Sequence, residues 1–281
     1  VIDQALLEKV IIERSRHSHK GDYGRLLLLG GIYPYGGAII MSAIATVKSG
    51  AGLVTVGTDR ENILALHSHL PEAMAFSLQD QQLLKEQLEK AEVVLLGPGL
   101  REDAFGEELV KRVFDSLRKD QILIADGGAL GILAKGQLPF PSSQLILTPH
   151  QKEWERLSGI VLDHQNTETT ARALSAFPQE TILVEKGPAT RIWQAGQSEY
   201  YQLQVGGPYQ ATGGMGDTLA GMIAGFAGQF HQVNLYERVV VATHLHSAIA
   251  QELAQEHYLV LPTEISKILP KTMKKISQKG S

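Results

Sequence analysis

The sequence predicts a single α/β domain with a mostly parallel central sheet and helices on both faces. Short apolar runs ending in Gly, Pro or Asp alternate with longer segments of helical periodicity. The apolar runs are continuous, as expected for parallel strands that are buried on both faces. The 281 residues contain no linker, repeat or low-complexity segment that would divide them.

The elements follow one another in a regular order. Buried strands are predicted at 25–31, 52–58, 92–99, 121–128, 144–150 and 181–187. Helices are predicted between them at 37–49, 80–90, 104–118, 151–158 and 167–176. A hairpin at 191–205 and helices at 217–229, 235–256 and 263–276 complete the chain. Residues 1–18 form an amphipathic helix and a polar loop before the core, within one domain spanning 1–281.

The composition excludes several classes of protein and site. There is no cysteine, which rules out disulfides, thiolate zinc sites and a cysteine nucleophile. The net charge of −4 carries no basic surplus for binding nucleic acid. No run approaches the ~18 apolar residues of a membrane span, and the first residues lack the order of a signal peptide. We therefore expect a cytoplasmic protein with neither a nucleic acid nor a membrane as partner.

Ligands of open parallel sheets bind beyond the carboxyl ends of the strands. The residues of interest lie at the carboxyl ends of the predicted strand segments. They are Gly30-Gly31, Gly97-Pro98-Gly99, Asp126-Gly127-Gly128, Thr148-Pro149-His150 and Lys186-Gly187.

The stretch "ATGGMGDTLAG" at 211–221 has the chemistry of an anion site. Its glycines bring backbone close to a ligand, and the helix predicted after them presents amides and a positive dipole end that favour phosphate. The spacing is neither a Walker A motif nor a GxGxxG. Asp217 has two interpretations: a helix cap, or a general base that takes a proton from a substrate hydroxyl.

The other motifs also have ordinary interpretations. On local evidence "LGPGL" is a turn, His150 is a polar residue at a helix start, and Lys186 is a surface charge. The ten His residues are scattered without metal-ligand spacing. Alone, none of these residues assigns a function.

Taken in order, six blocks resemble the ADP/ATP-dependent NAD(P)H-hydrate dehydratase family, carbohydrate-kinase-like enzymes of the ribokinase-like superfamily. The resemblance runs from about residue 18 to the end. The blocks are "HKGDYGRLLLLGG" (19–31), "YGGAIIMSAIATVKSGAGLVTV" (35–56), "LGPGL" (96–100), "LTPHQKEW" (147–154), "VEKGPATRI" (184–192) and "GGPYQATGGMGDTLAG" (206–221). The resemblance implies a ribokinase-like fold.

The resemblance also assigns residues. Asp217 would be the catalytic base and would contact the substrate together with Ala38, Gly99 and His150. The nucleotide would lie against Lys186, Gly187, Pro188, Ala189, Thr190 and Gly216. Gly214, Met215 and Gly216 would form the anion hole. No direct metal ligand is assigned, and Glu153 would help to place magnesium through water.

The implied activity is a lyase reaction that repairs the (S) epimer of hydrated NADH or NADPH. ADP, or ATP, would be the co-substrate with Mg²⁺, and AMP and phosphate would be released. The resemblance further implies a homo-oligomer, commonly a tetramer, and an NAD(P)H-hydrate epimerase as a separate protein. The alternatives are a ribokinase-like kinase of a vitamin precursor and a non-catalytic nucleotide-binding module.

Two sites depart from the family pattern. Asp-Ala-Asp-Ala-Leu is replaced by Asp-Gly-Gly-Ala-Leu, so that Gly128 stands where the second carboxylate is usual and Asp126 is either structural or near the phosphates. In the segment before the glycines, Gly207, Tyr209 and Gln210 replace Asn, Gly and Met. The approach of that loop to its ligand is the detail these changes put in question.

Overall fold

The computed structural model describes residues 4–279, which form a nine-stranded sheet in the order β3-β2-β1-β4-β5-β6-β7-β8-β9. The strands are β1 Arg25–Leu29, β2 Leu53–Thr58, β3 Met74–Ser77, β4 Val93–Leu96, β5 Ile122–Ala125, β6 Gln144–Leu147, β7 Ile182–Glu185, β8 Arg191–Gln194 and β9 Tyr200–Gln202. The strands from β1 to β7 pair in parallel, and β8 and β9 pair antiparallel as the predicted hairpin.

Eleven α-helices lie within the same described range. They are α1 Gln4–Val10, α2 Gly36–Lys48, α3 Arg60–His69, α4 Gln81–Lys90, α5 Ala104–Ser116, α6 Gly128–Leu133, α7 Gln151–Ser158, α8 Thr167–Leu174, α9 Met215–Ala227, α10 Leu235–Leu253 and α11 Pro262–Ser277. The first three residues of the predicted N-terminal helix lie outside the described residues. In the described part of the chain, no helix combines the length and apolar character needed to cross a membrane.

The sheet separates two apolar cores. Leu26 and Leu28 of β1 contribute to one core with α2, α9, α10 and α11, whereas Leu27 and Leu29 contribute to the other with α4, α5 and α6. Successive strand residues point to opposite faces, so a continuous apolar run is what two covered faces require. The predicted fold class is confirmed.

The predictions missed three elements: α3, β3 and α6. The edge strand β3 has only four residues, of which Met74 is exposed and one is fully buried, so its apolar signal is weak. The six residues of α6 directly follow the glycine turn after β5, and this glycine-rich segment has little helical periodicity to detect. β3 therefore lacks the continuous apolar run of the equally short strands β4 to β7, and α6 lacks a helical period.

Helices α2 and α9 pack unusually closely. A Cβ on Gly221 would lie 2.2 Å from the carbonyl oxygen of Ser42, and a Cβ on Gly225 would lie 2.4 Å from Cβ of Ser49. Any larger residue at these glycines would push the helices apart. The contact places the first turns of both helices side by side at the carboxyl edge of the sheet.

Candidate active site

The glycine stretch ends in the first turn of α9. Gly214 precedes the helix with φ +89°, and a Cβ there would lie 2.3 Å from Met41. Only glycine suits both conditions. Met215, Gly216 and Asp217 follow as the first three helical residues, whose amides have no partner within the helix. The helix thus begins two residues before the predicted start at 217.

This earlier start corrects one interpretation of Asp217. The capping position belongs to Gly214, and no side chain caps this end of α9. Asp217 is one of the first-turn residues, and it is only partly buried. Burial raises the pKa of Asp217 to about 6, the negative charge of Asp126 adds to this, and Lys186 opposes it. A carboxylate with a pKa near neutrality suits a general base.

Lys186 forms an ion pair with Asp126 and places its positive charge near Asp217. Its Nζ lies 2.9 Å from Oδ1 of Asp126, which also accepts a hydrogen bond from Thr148 Oγ1 at 2.7 Å. A Cβ on Gly216 would lie 3.1 Å from the same ammonium. The structure therefore brings Lys186 and Gly216 together. The surface-charge interpretation is wrong, because the lysine side chain is only 18% exposed.

Nearby carboxylates favour the charged form of Lys186. Burial opposes the charged form of Lys186, but the carboxylates of Asp126, Glu153 and Asp217 outweigh it and raise its pKa. A permanent cation beside the open end of α9 suits nucleotide phosphates.

His150 begins α7 and has a fixed ring orientation. Its Nδ1 accepts hydrogen bonds from the amides of Lys152 and Glu153, while Glu153 Oε2 accepts from the His150 amide at 2.8 Å. Burial and the nearby Lys186 lower the pKa of His150. The ring is therefore neutral with its proton on Nε2, on a side chain that is 56% exposed.

Glu153 is less accessible than His150. Its side chain is 14% exposed, and burial raises its pKa, with a smaller contribution from Asp126. Residues 4–279 contain no group of three or more His, Cys, Asp or Glu that could hold a metal ion. The protein side of any metal site here is thus limited to one or two carboxylates.

Ala38 and Gly99 face each other across the ends of α2 and β4. Gly99 has φ +66°, and a Cβ there would lie 3.1 Å from Cβ of Ala38 and 2.4 Å from the carbonyl oxygen of Tyr35. Ile32 donates its amide to the Gly99 carbonyl at 2.8 Å, which ties the loop after β1 to the loop after β4. We refer to Ala38 and Gly99 as the substrate wall.

The predicted nucleotide loop runs from Gly187 to Thr190, between β7 and β8. Gly187, Pro188 and Ala189 are exposed, and Thr190 Oγ1 donates to the Gly187 carbonyl at 3.1 Å. The loop is thus a closed, accessible turn that begins directly after Lys186.

The departures from the family pattern have steric reasons. A Cβ on Gly128 would lie 2.0 Å from the carbonyl oxygen of Leu100, so no side chain fits there. A Cβ on Gly207 would lie 2.5 Å from the ring of Tyr209, so a side chain at 207 and the present ring position exclude each other. Gln210 Oε1 accepts the amide of Gly207 at 3.2 Å. These three residues therefore shape the loop as a unit.

Sequence reasoning missed two buried polar residues beside α9. Ser42 donates to the Asp217 carbonyl at 2.9 Å. His246 is 3% exposed, and burial lowers its pKa to about 4 although a hydrogen bond to the backbone of Met215 opposes this. Both lie inside regular helical patterns, where a polar residue gives no signal of what it faces.

A cavity of about 1000 Å³ lies away from this site, at the C-terminal ends of α2 and α9. Lys48, Gly50, Gln229 and Lys274 are among its lining residues. Asp217, Lys186, His150 and Glu153 are not among its lining residues. Asp217 lies at the opposite end of α9, in its first turn.

The sheet order, the glycine-bounded start of α9 and the Asp217–Lys186 cluster define a ribokinase-like α/β protein. A ribokinase-like superfamily protein from Enterococcus faecalis has the same fold, with a TM-score of 0.93, 42% identity and coverage of 99% of this chain and 96% of that one. The model of the NAD(P)H-hydrate dehydratase family matches residues 26–271, and the chain belongs to that family.

Two further relatives agree with this membership. An ADP-dependent (S)-NAD(P)H-hydrate dehydratase of Streptococcus pneumoniae is 80% identical over 99% of this chain and 96% of its own length. The ADP/ATP-dependent NAD(P)H-hydrate dehydratase of Bacillus subtilis, co-crystallised with ATP and Mg²⁺, has a TM-score of 0.85 at 28% identity, with 98% and 97% of the two chains covered. The predicted family is confirmed.

Proposed function

We propose that this protein is an ADP-dependent (S)-NAD(P)H-hydrate dehydratase, which returns hydrated NADH or NADPH to the reduced dinucleotide. The observation that carries the proposal is the position of Asp217. It lies in the first turn of α9, beside unpaired helix amides and near the Lys186 ammonium. A base, an anion site and a cation therefore converge where phosphoryl transfer to a hydroxyl needs them. No observation favours the vitamin-precursor kinase.

The reaction must remove a hydroxyl group, which is a poor leaving group. Asp217 accepts the proton of the substrate hydroxyl. The hydroxyl oxygen attacks the terminal phosphoryl group of ADP, and the bond from that phosphorus to the AMP oxygen breaks. The amides of Gly214, Met215 and Gly216 stabilise the charge on the transferred group. AMP leaves, and the substrate carries a phosphate ester.

The ring nitrogen then completes the elimination. Its lone pair forms a carbon–nitrogen double bond as the carbon–oxygen bond breaks and phosphate departs. Loss of a proton from the neighbouring ring carbon restores the dihydropyridine. The sum is hydrated NAD(P)H and ADP giving NAD(P)H, AMP and phosphate.

The remaining residues bind and orient the two substrates. Ala38 and Gly99 have little bulk, so the ring can approach the base closely. The proton on Nε2 of His150 can be donated to an oxygen or a carbonyl of the substrate. Lys186 and the loop Gly187–Thr190 hold the phosphates of ADP or ATP.

The carboxylates present fit a magnesium ion that arrives with the nucleotide. Mg²⁺ is usually held by one or two carboxylates together with waters and substrate phosphates. Glu153 accepts the His150 amide through Oε2, and Asp126 uses Oδ1 for Thr148 and Lys186. Glu153, through water, would hold the ion, which would neutralise charge on the phosphate oxygens.

The proposal extends to assembly and location. We expect a cytoplasmic homotetramer, and exposed apolar side chains of Tyr258, Leu259 and Leu261 offer contact surface. We also expect epimerisation of the hydrated dinucleotide to be carried out by a separate protein. Light scattering after gel filtration tests the assembly.

The deciding experiment incubates the protein with hydrated NADH, Mg²⁺ and either ADP or ATP. The near-ultraviolet absorbance of the dihydronicotinamide should recover, faster with ADP, with one AMP formed per NADH. Mass spectrometry separates this from the kinase alternative. A phosphorylated alcohol that accumulates without recovered absorbance would contradict the dehydratase assignment.

A further inference from the structure

Ser42 lies between the substrate wall and the base. Its side chain is fully buried on the face of α2 that packs against α9. The hydroxyl oxygen lies 2.9 Å from the carbonyl oxygen of Asp217 and 3.1 Å from the carbonyl oxygen of Ala38. A serine has one hydroxyl proton, so these two carbonyls share a single donor.

The close approach of the helices makes this contact hard to replace. The Ser42 carbonyl stands where a side chain at Gly221 would otherwise lie, so the two helix backbones are in direct contact. Without the hydroxyl, the Asp217 carbonyl keeps only its bond within α9. The turn that carries the carboxylate would then lose its hydrogen bond to α2.

Thr46 makes the same kind of contact one turn further from the site. Its hydroxyl lies 2.9 Å from the carbonyl of Gly221 and 2.8 Å from that of Ser42. Thr46 is equally buried. It therefore offers a matched comparison for an interhelical hydrogen bond that does not touch the residue carrying the base.

We propose that Ser42 is a positioning residue that fixes Asp217 relative to the substrate wall at Ala38. The hydroxyl sets the register of the first turn of α9 and contacts no substrate itself. This inference rests on the proposed function, since it concerns the geometry of the same proton transfer. Small displacements of a base relative to its substrate cost rate more than binding.

The test compares Ser42→Ala with Thr46→Val in the full chain. Both remove one buried hydroxyl, so both should lower the melting temperature. Ser42→Ala should reduce kcat about tenfold with the KM values for hydrated NADH and ADP within about twofold, whereas Thr46→Val should keep kcat within about twofold of the unmodified chain. Hydrogen exchange should accelerate in the amides of residues 218–221 in Ser42→Ala alone.

Each result decides the inference. Equal kcat values in the two variants, or a loss in Ser42→Ala that appears only in KM, would overturn the positioning role. Hydrogen exchange needs no substrate, so it separates this failure from a failure of the proposed function. If the unmodified chain shows no dehydratase activity, the proposed function is wrong. Even then, equal hydrogen exchange in the first turn of α9 of the two variants would refute the positioning role of Ser42.

Discussion

The ammonium of Lys186 lies 2.9 Å from Oδ1 of Asp126, and both groups are largely withdrawn from solvent. Asp126 directly follows β5, and Lys186 directly follows β7, two strands away in the sheet. Their pairing therefore joins two strand ends across the end of β6. It also fixes a cation beside Asp217 and so ties the fold of the sheet edge to the chemistry of the site.

We predict that Lys186→Met destabilises the protein by about 3 kcal/mol, because Asp126 would remain buried without its counter-ion. Asp126→Asn combined with Lys186→Met should cost less than the sum of the single changes. Denaturant unfolding of the four proteins measures this coupling. Breaking the exposed pair of Lys111 and Asp115 is the control, with an expected effect below about 0.5 kcal/mol. Additive losses in the buried pair would argue against the ion pair.

Asp217→Asn should remove turnover by about a thousandfold or more while the fold is retained. The pKa of Asp217 is raised in the folded state, so the stability associated with its protonated form is lost as the pH rises through about 6. At pH 7.5 the ionised carboxylate of Asp217 therefore lowers the free energy of unfolding. The melting temperature of Asp217→Asn should be no lower than that of the unmodified chain. Asp163→Asn, an exposed change of the same kind, should leave both turnover and melting unchanged. Wild-type turnover in Asp217→Asn would exclude the base assignment.

The pH dependence should identify the base. With ADP and Mg²⁺ saturating, kcat/KM for hydrated NADH should fall about tenfold per unit below a pH of about 6, where Asp217 becomes protonated. His150→Gln should keep this limb, because burial and Lys186 lower the pKa of His150. An acid limb near the ordinary aspartate value, or one that disappears with His150, would contradict the assignment.

Gly128 should tolerate no side chain. Restoring the usual family residue with Gly128→Asp, or adding only a methyl group with Gly128→Ala, should destabilise the protein by about 2 kcal/mol or more, since Cβ would meet the Leu100 carbonyl. Gly37→Ala is the comparison: it lies in the first turn of α2 with nothing within 4 Å of the added carbon. Thermal unfolding should show no loss for Gly37→Ala. Equal melting temperatures of the Gly128 variants and Gly37→Ala would mean that the backbone at Gly128 shifts to accommodate a side chain.

Gly207 and Tyr209, in the segment before the glycines, should be energetically coupled. Gly207→Asn alone should raise the KM for ADP several-fold, because the new side chain displaces the Tyr209 ring and with it the loop. Gly207→Asn combined with Tyr209→Gly removes the clash and should restore KM to within about twofold. Steady-state kinetics with ADP varied measure both. A double variant no better than the single one would show that the two positions act independently.

Local pattern determined much of the architecture and part of the site. Continuous apolar runs such as Leu26–Leu29 required a sheet covered on both faces. The glycines before Asp217 indicated a special backbone conformation at the helix start, and Gly214 has φ +89° there. These properties depend on neighbouring residues, so the sequence carries them directly. The sequence did not reveal β3 or α6, because β3 has one buried residue instead of a continuous apolar run and the six residues of α6 show no helical period.

Tertiary structure alone decided which of these groups meet. The sequence does not state that Lys186 would pair with Asp126, that Ser42 would reach the Asp217 carbonyl, or that Tyr209 would occupy the space beside Gly207. Each contact joins segments whose separation depends on strand order and helix packing. The same packing partly buries Asp217 and so raises its pKa. Burial and charge at a site are properties of the assembled chain, and no local spacing encodes them.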